Sequence, residues 1–146
     1  MPTFTRQVIV HAPVEVVFAF HERDDALPLL SPSFPPVRVV RRTGGIERGA
    51  RVELRIGGLI RWVAVHTAFE RNRLFVDEQV EGPFRQWVHR HEFEPLGSDT
   101  RLTDRITYRV RGGTLVNAVA SWLITPGLWQ MFRHRHRATR RWCERA

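Results

Sequence analysis

Residues 86–110, QWVHRHEFEPLGSDTRLTDRITYRV, decide the fold, because they contain two alternating segments joined by a short turn. Aromatic or aliphatic side chains occupy every second position in 87–93, and in 102–108 every second position except Asp104, with mostly polar or charged residues between them. Such alternation predicts β-strands with one buried face. The intervening Gly97-Ser98 is the pattern of a two-residue hairpin loop, in which glycine takes the positive φ. We therefore predict an antiparallel hairpin.

The length of this turn also predicts which residues face each other across the hairpin. If Leu96 pairs with Asp99, the odd positions of the first strand share a face with the even positions of the second. Because directly opposed side chains are close enough to interact, we predict a carboxylate–imidazole pair of His91 and Asp104 inside the protein. The opposed inner pairs are then Phe93 with Leu102, His91 with Asp104, His89 with Ile106, and Trp87 with Tyr108.

The segments before the hairpin predict a strand, two short helices and further strands. Residues 4–11 alternate as a strand, and Ala12-Pro13-Val14-Glu15 opens a helix, since proline suits a first turn and Glu15 meets the positive end of the dipole. A second short helix is expected from Asp24 to Leu30. Turn signals such as Gly44-Gly45 and Gly57-Gly58 then divide 37–110 into about six alternating strands.

A long helix is expected after the last strand. Thr114 can cap it, and Pro126-Gly127 should kink or interrupt it, because proline cannot donate the helical hydrogen bond. Its predicted apolar face consists of Leu115, Val119, Trp122 and Leu123. The element order predicts one α+β domain over 1–146, in which a curved antiparallel sheet of about six to seven strands wraps the C-terminal helix and leaves a cavity against it.

The composition excludes several classes of protein. The chain has 42% hydrophobic and 26% charged residues, so disorder is not expected. Its single cysteine, Cys143, permits no internal disulfide, and no leader or run of 18 apolar residues is present, so we expect a soluble cytoplasmic protein. All 23 basic residues are arginine, and the net charge of +8 either favours anionic partners or simply solvates the surface.

Five segments at this order and spacing are VHAPVEVVFAFH (10–21), LSPSFPPV (30–37), FVDEQVEGPFRQWVHRHEF (75–93), RLTDRITYRV (101–110) and MFRHRHR (131–137). Together they resemble the START-like, or SRPBCC, superfamily with the Bet v 1-like fold, and most of all its small bacterial polyketide cyclase/dehydrase-like members. The resemblance implies a helix-grip fold and a ligand cavity between sheet and C-terminal helix. It does not imply one reaction, because the relatives include carriers, sensors and cyclases.

The resemblance bears on the register of the strand before the hairpin. A two-residue Glu81-Gly82 turn would put Leu74, Val76 and Glu78 on the inner face. A three-residue turn that includes Pro83 would instead place Phe75, Asp77 and Gln79 there. We favour the three-residue turn because it agrees with the motif of the superfamily.

The favoured function is the binding of a small hydrophobic or amphipathic molecule, such as a lipid, quinone or polyketide, by a carrier or sensor. Such cavities combine apolar walls with a few convergent polar groups. The residues expected to contact the ligand are Asp77, Gln79, Trp87, His89, His91, Phe93, Asp104, Tyr108, Trp122 and Trp129. Trp122 and Trp129 are equally typical of a helix core, and the polar set is equally typical of a satisfied network.

Two further roles for the polar residues follow. A polyketide cyclase or aromatase would use His91, made more basic by Asp104, as its acid/base group, with Tyr108 donating to a carbonyl. Two imidazoles and a carboxylate could also bind a first-row metal, but His-x-His alone is a weak signal, so we expect neither a metal nor another cofactor.

The Arg-rich end of the last helix is a candidate docking surface. Residues 133–137, RHRHR, are followed by Arg140 and Arg141, and an acidic protein or an anionic membrane surface would suit this charge. The arginines spread over several helical faces instead of forming one stripe, so nucleic acid is not favoured. His134 and His136 are expected to be solvated, although a contact of His134 with the cavity mouth is an alternative.

Overall fold

The computed structural model describes residues 2–145, in which seven strands form one antiparallel sheet beside three helices. In chain order the elements are β1 (Thr3–Val10), α1 (Val14–Glu22), α2 (Ala26–Leu30), β2 (Val37–Thr43), β3 (Arg51–Ile56), β4 (Ile60–Glu70), β5 (Leu74–Glu81), β6 (Gln86–Leu96), β7 (Asp99–Arg109) and α3 (Thr114–Cys143). The strand order β1-β7-β6-β5-β4-β3-β2 joins neighbours in sequence, except that β1 pairs with β7. This is the predicted helix-grip architecture, with seven strands.

The hairpin of β6 and β7 has the predicted register. Leu96 pairs with Asp99, and this pairing continues through His91 opposite Asp104 to the other end of the strands. Gly97 takes a φ of +63°, a conformation that residues with a Cβ rarely adopt, which explains glycine at this point of the turn. The sequence of the turn alone therefore predicted the register of the longest strand pair.

The strand β5 also has its predicted face. Phe75 lies opposite His91 and Asp77 opposite His89, so the odd positions of β5 face inward. The connection to β6 is longer than the predicted three-residue turn, because β5 ends at Glu81 and β6 begins at Gln86. The observed pairing of Asp77 with His89 is shifted by two residues from the pairing that a three-residue turn would give, and a shift of two keeps the same side chains on the inner face.

The helix α3 has a different N-cap from the predicted one, and it continues past Pro126. Gly113, not Thr114, occupies the N-cap, and the start of the helix is held by Asn117, whose amide donates to the Gly113 carbonyl at 3.0 Å and the Val110 carbonyl at 3.2 Å. Pro126 does not interrupt the helix. Its ring removes one N–H, and the carbonyl left without that donor belongs to Trp122, on an exposed turn where water can replace the bond.

The apolar side chains of the helix α3 divide between its two halves. Leu128 and Phe132, in the second half, are buried against the sheet. The predicted apolar face of the first half is wrong as a buried face, because Leu115, Val119, Trp122 and Leu123 are all exposed. No helix within residues 2–145 combines the length and hydropathy needed to cross a bilayer.

Two buried apolar clusters hold the sheet and the helices together. The first joins α1 to β5, β6 and β7 around Phe18, whose ring lies 5.0 Å from that of Phe93. The second joins β1, β6 and β7 to α3, where Phe132 packs beside Phe4 at 5.7 Å. Between these clusters lies a group of buried polar side chains, in contact with both.

Candidate functional site

A cavity of about 420 Å³ lies between the sheet and the helices. Its walls are mostly apolar, and they come from the inner positions of β2, β3 and β4 and from one stripe of α3. The alternation of β3 explains its share of the wall, because Val52, Leu54 and Ile56 point inward as predicted. The other principal apolar contributors are Val37, Trp62, Ala64, Trp87, Ile124, Leu128 and Met131.

The polar side of the cavity consists of a row of side chains across three neighbouring strands. His66 on β4 lies opposite Asp77 on β5, and Asp77 lies opposite His89 on β6. In the adjacent row, His91 on β6 lies opposite Asp104 on β7. Because opposed residues in antiparallel strands share a face, the register alone gathers two carboxylates and three imidazoles at one place.

Asp104 is the centre of this group and is buried. His89 Nε2 donates to its Oδ1 at 2.8 Å, and His136 Nε2 donates to its Oδ2 at 2.6 Å. His91 Nδ1 lies 3.2 Å from Oδ1. The carboxylate therefore connects two positions on β6 to the helix α3, which packs over the sheet.

His91 lies between the two carboxylates and between two rings. Its Nε2 donates to Asp77 Oδ2 at 2.8 Å, while its Nδ1 faces Asp104. The imidazole stacks on Phe75 at 3.9 Å on one side and on His89 at 3.6 Å on the other. Carboxylates at both ring nitrogens favour the doubly protonated imidazolium, which donates from both.

The pKa values of these groups follow from this geometry. Burial lowers the pKa of His91, but its hydrogen bonds to Asp104 and Asp77 outweigh burial and raise the pKa above its ordinary value. Burial alone would raise the pKa of Asp77, yet the hydrogen bond from His91 and the charges of His89 and His91 lower it to about 2. The pKa of Asp104 is held well below its ordinary value by its three histidines despite burial.

Two further buried histidines, His21 and His66, have lowered pKa values. Burial lowers the pKa of His21 to about 4, although its Nδ1 donates to the Val17 carbonyl at 2.8 Å. Burial also lowers the pKa of His66, whose Nδ1 lies 3.3 Å from the Ala50 carbonyl. Both imidazoles are therefore neutral at pH 7, and both line the cavity.

The comparisons with known proteins agree with this architecture. Residues 10–138 match the family described as "Polyketide cyclase / dehydrase and lipid transport". The chain belongs to this family. A search of curated protein sequences finds no match to it.

Solved structures show the fold of this polyketide cyclase/dehydrase-family chain. Zhui aromatase/cyclase from Streptomyces sp. R1128 superimposes with a TM-score of 0.77 at 15% identity, covering 99% of this chain and 94% of that one. A START superfamily protein from Mycobacterium smegmatis gives 0.67 at 19% identity, covering 97% of each. A nucleoside-diphosphate sugar epimerase from Corynebacterium glutamicum gives 0.74 at 22% identity over 94% of this chain, which spans only 28% of that protein. At these identities the likeness establishes the fold alone.

Four of the ligand-contacting residues predicted from sequence line the cavity of this family member: Asp77, Trp87, His89 and His91. Phe93, Asp104 and Tyr108 lie behind them, buried and outside the main cavity. The other three do not line the cavity. Gln79 forms hydrogen bonds with the Phe84 backbone across the β5–β6 loop. Trp122 and Trp129, on α3, are 85% and 47% exposed. Neither tryptophan lines the cavity, and Trp129 instead packs against the guanidinium of Arg6 on β1, 5.0 Å from the ring centroid.

Sequence reasoning missed four residues of the site. His136 was expected to be solvated and is instead buried against Asp104, whereas His134 is exposed as expected. His21, His66 and Arg135 line the cavity and were not considered. The signal for the residues of α3 was available in their spacing, since Leu128, Phe132, Arg135, His136 and Thr139 recur at helical intervals on one face.

Part of the polar group has a geometry that a metal ion could use. Asp77, His89 and His91 each offer one ligand atom, and these three atoms lie within 4.8 Å of one another. Two imidazoles and a carboxylate are a donor set for first-row metals. Asp77 and His91 are already hydrogen-bonded to each other, so a metal would have to displace the proton between them.

Proposed function

We propose that this protein binds one small amphipathic molecule, with the apolar body of the molecule against the β2–β4 and α3 wall and its polar end at the His–Asp row. The observation that supports this proposal is the division of a single cavity of about 420 Å³ into a large apolar wall and one polar side. That volume lies within the range of small-molecule sites, and the division matches how such sites give affinity and orientation separately. A lipid, quinone or polyketide-like molecule carried or sensed by the protein has this character.

The apolar wall supplies the affinity. Burial of apolar surface stabilises a bound molecule by roughly 25 cal/mol per Å². The polar side supplies orientation, since His89, His66 and Asp77 offer hydrogen-bonding atoms at fixed positions on adjacent strands. Rigid strands lose little freedom when a ligand binds, which favours recognition.

Native mass spectrometry of the freshly purified protein, followed by solvent extraction, tests this proposal. We expect a stoichiometric small molecule to co-purify. Ala64→Phe fills the cavity from β4 and should abolish that added mass, whereas Val80→Phe adds the same ring at an exposed position of β5 and should retain it. Retention of the molecule by the Ala64→Phe protein would contradict the cavity as its binding site.

A cyclase or aromatase activity is the second candidate, favoured by the acid/base groups along the cavity. His91, held as an imidazolium by two carboxylates, is the candidate acid, and its proton would reach the bound molecule only after the bond to Asp77 opens, while the neutral His66 is suited to accepting a proton. Cyclisation by enolisation and dehydration needs one group of each kind in a water-poor cavity. Activity of this kind predicts that a poly-β-ketone thioester is converted by the wild type and not by His91→Ala, while both bind it.

Docking of the loaded protein on an anionic membrane is favoured by the surface of α3. Its first half exposes Leu115, Trp122 and Leu123, and its second half exposes Arg133 and Arg137. Apolar side chains that insert beside cations attracted to anionic lipid are the features of an interfacial helix. Co-sedimentation with vesicles tests this docking. The protein should bind phosphatidylglycerol vesicles but not phosphatidylcholine vesicles, and Trp122→Ala should weaken the binding. Binding to an acidic protein and not to the anionic vesicles would contradict membrane docking.

A further inference from the structure

Arg135 is the one residue of the cavity-facing stripe of α3 that breaks its apolar pattern. Leu128, Met131 and Arg135 follow at helical spacing, and all three line the cavity. An arginine at such a position replaces an apolar side chain that would pack against the bound molecule. Buried guanidinium groups are costly unless an anion pairs with them.

Within the described residues 2–145, no anion pairs with Arg135. Among residues 2–145 its side chain makes no hydrogen bond or ion pair, and its buried Nε has no partner. Its guanidinium lies over the ring of Phe132, with the guanidinium carbon 5.4 Å from the ring centroid. Burial lowers the pKa of Arg135, but an arginine remains charged throughout the physiological range.

The nearby carboxylates are already occupied. Asp104 is bound by His89 and His136 and contacted by His91, and Asp77 is bound by His91. Arg135 therefore has unused donors that face the contents of the cavity. These five N–H groups form a planar fork, which matches a carboxylate held by two parallel hydrogen bonds.

Arginines outnumber carboxylates in the cavity lining. Arg23 and Arg42 also line it, against the single carboxylate of Asp77. Arg23 is paired with Asp25, but Arg42 donates only to the backbone carbonyls of Gly44 and Asp24. A cavity with arginines and few acids concentrates anions at its entrance.

We propose that Arg135 binds the carboxylate of the cavity ligand, so that the protein selects amphipathic carboxylic acids over neutral molecules with the same apolar body. This inference rests on the proposed function, since it names the headgroup of the molecule that the cavity holds. The apolar body then lies along Leu128 and Met131, on the same face of α3.

Isothermal titration calorimetry with decanoate and decan-1-ol tests the assignment, because the two probes share an alkyl chain and differ in charge. We expect the wild type to bind decanoate about tenfold to a hundredfold more tightly than decanol, the usual range for hydrogen bonds to a charged group. Arg135→Met keeps the length of the side chain and should remove this preference, with decanol affinity unchanged. Arg137→Met, an exposed arginine of the same helix, should preserve it.

The possible outcomes separate this inference from the proposed function. Decanol and decanoate bound equally by the wild type, or decanoate affinity unchanged in Arg135→Met, would overturn the role of Arg135 and leave the cavity function standing. Binding of neither probe by the wild type would overturn both. Since Arg135 makes no hydrogen bond or ion pair within residues 2–145, we expect Arg135→Met to fold, and equal binding of the two probes by the wild type would overturn the inference even without that variant.

Discussion

Replacing Asp104 with asparagine tests whether the buried His–Asp network stabilises the fold. Asparagine keeps the shape of the side chain and removes its charge. Asp104 accepts hydrogen bonds from His89 at 2.8 Å and His136 at 2.6 Å and lies 3.2 Å from His91, so three imidazoles lose one anion. Removing one partner from a buried ion pair costs about 3–5 kcal/mol. We expect a loss of this size in the free energy of unfolding.

Calorimetry at pH 7 measures the effect as a change in Tm. Unfolding entropies of about 2.1 cal/mol/K per residue give a chain of this length about 0.3 kcal/mol/K, so the expected fall in Tm is about 10–16 °C. Asp99→Asn is the matched control on the same strand, because its carboxylate is partly exposed and its one ion pair among residues 2–145 is with His11, at 3.4 Å. That control should lower Tm by less than about 2 °C.

The pH dependence adds a second check on the same variant. Because the folded-state pKa of Asp104 lies well below its ordinary value of 3.8, its ionised form stabilises the folded chain above that pH, and the contribution is lost only as the pH falls through the folded pKa. The difference between wild type and Asp104→Asn should therefore persist from pH 7 to about pH 4. An Asp104→Asn protein that melts within about 2 °C of the wild type at pH 7 would refute the reasoning.

Three further variants test other parts of the structure. His21 has its pKa lowered to about 4, so its neutral form stabilises the fold above pH 6.5 and this stability is lost as the pH falls. Asparagine at this position keeps a donor for the helix carbonyl but cannot titrate. The unfolding free energy of His21→Asn should therefore fall by about 2 kcal/mol less between pH 7 and pH 5 than that of the wild type. Urea titrations in which both proteins lose the same unfolding free energy over this pH range would contradict this. Because Trp122 is exposed and Phe132 is buried, Trp122→Ala should change the free energy of unfolding by less than about 0.5 kcal/mol, whereas Phe132→Ala should lower it by about 3–5 kcal/mol. If chemical denaturation gives similar losses for the two variants, Trp122 is buried and this account of α3 is wrong. Gln79→Ala removes both hydrogen bonds to the Phe84 backbone and should speed hydrogen exchange at the Phe84 amide by about tenfold, with protection elsewhere on β6 unchanged.

The sequence alone determined the sheet and one side of the site. Alternation gives the inner face of each strand, and the Gly97-Ser98 turn fixes the pairing of β6 with β7, so the opposition of His91 and Asp104 followed without coordinates. For β5 the turn left two registers open, and the resemblance to the superfamily motif selected the one that brings Asp77 to the same face. These predictions succeed because register is a local property, set by a short turn and a period of two.

Only the tertiary structure decided which side chains of the helices complete the site. His21 and Arg135 reach the cavity from α1 and α3, and His136 reaches Asp104 from α3, all far along the chain from the strands that they meet. The spacing of apolar residues on α3 is compatible with more than one buried face, and the position of the helix over the curved sheet selects the one with Phe132 and His136. The same position leaves Trp122 exposed, because packing between elements, unlike strand register, depends on the shape of the whole sheet.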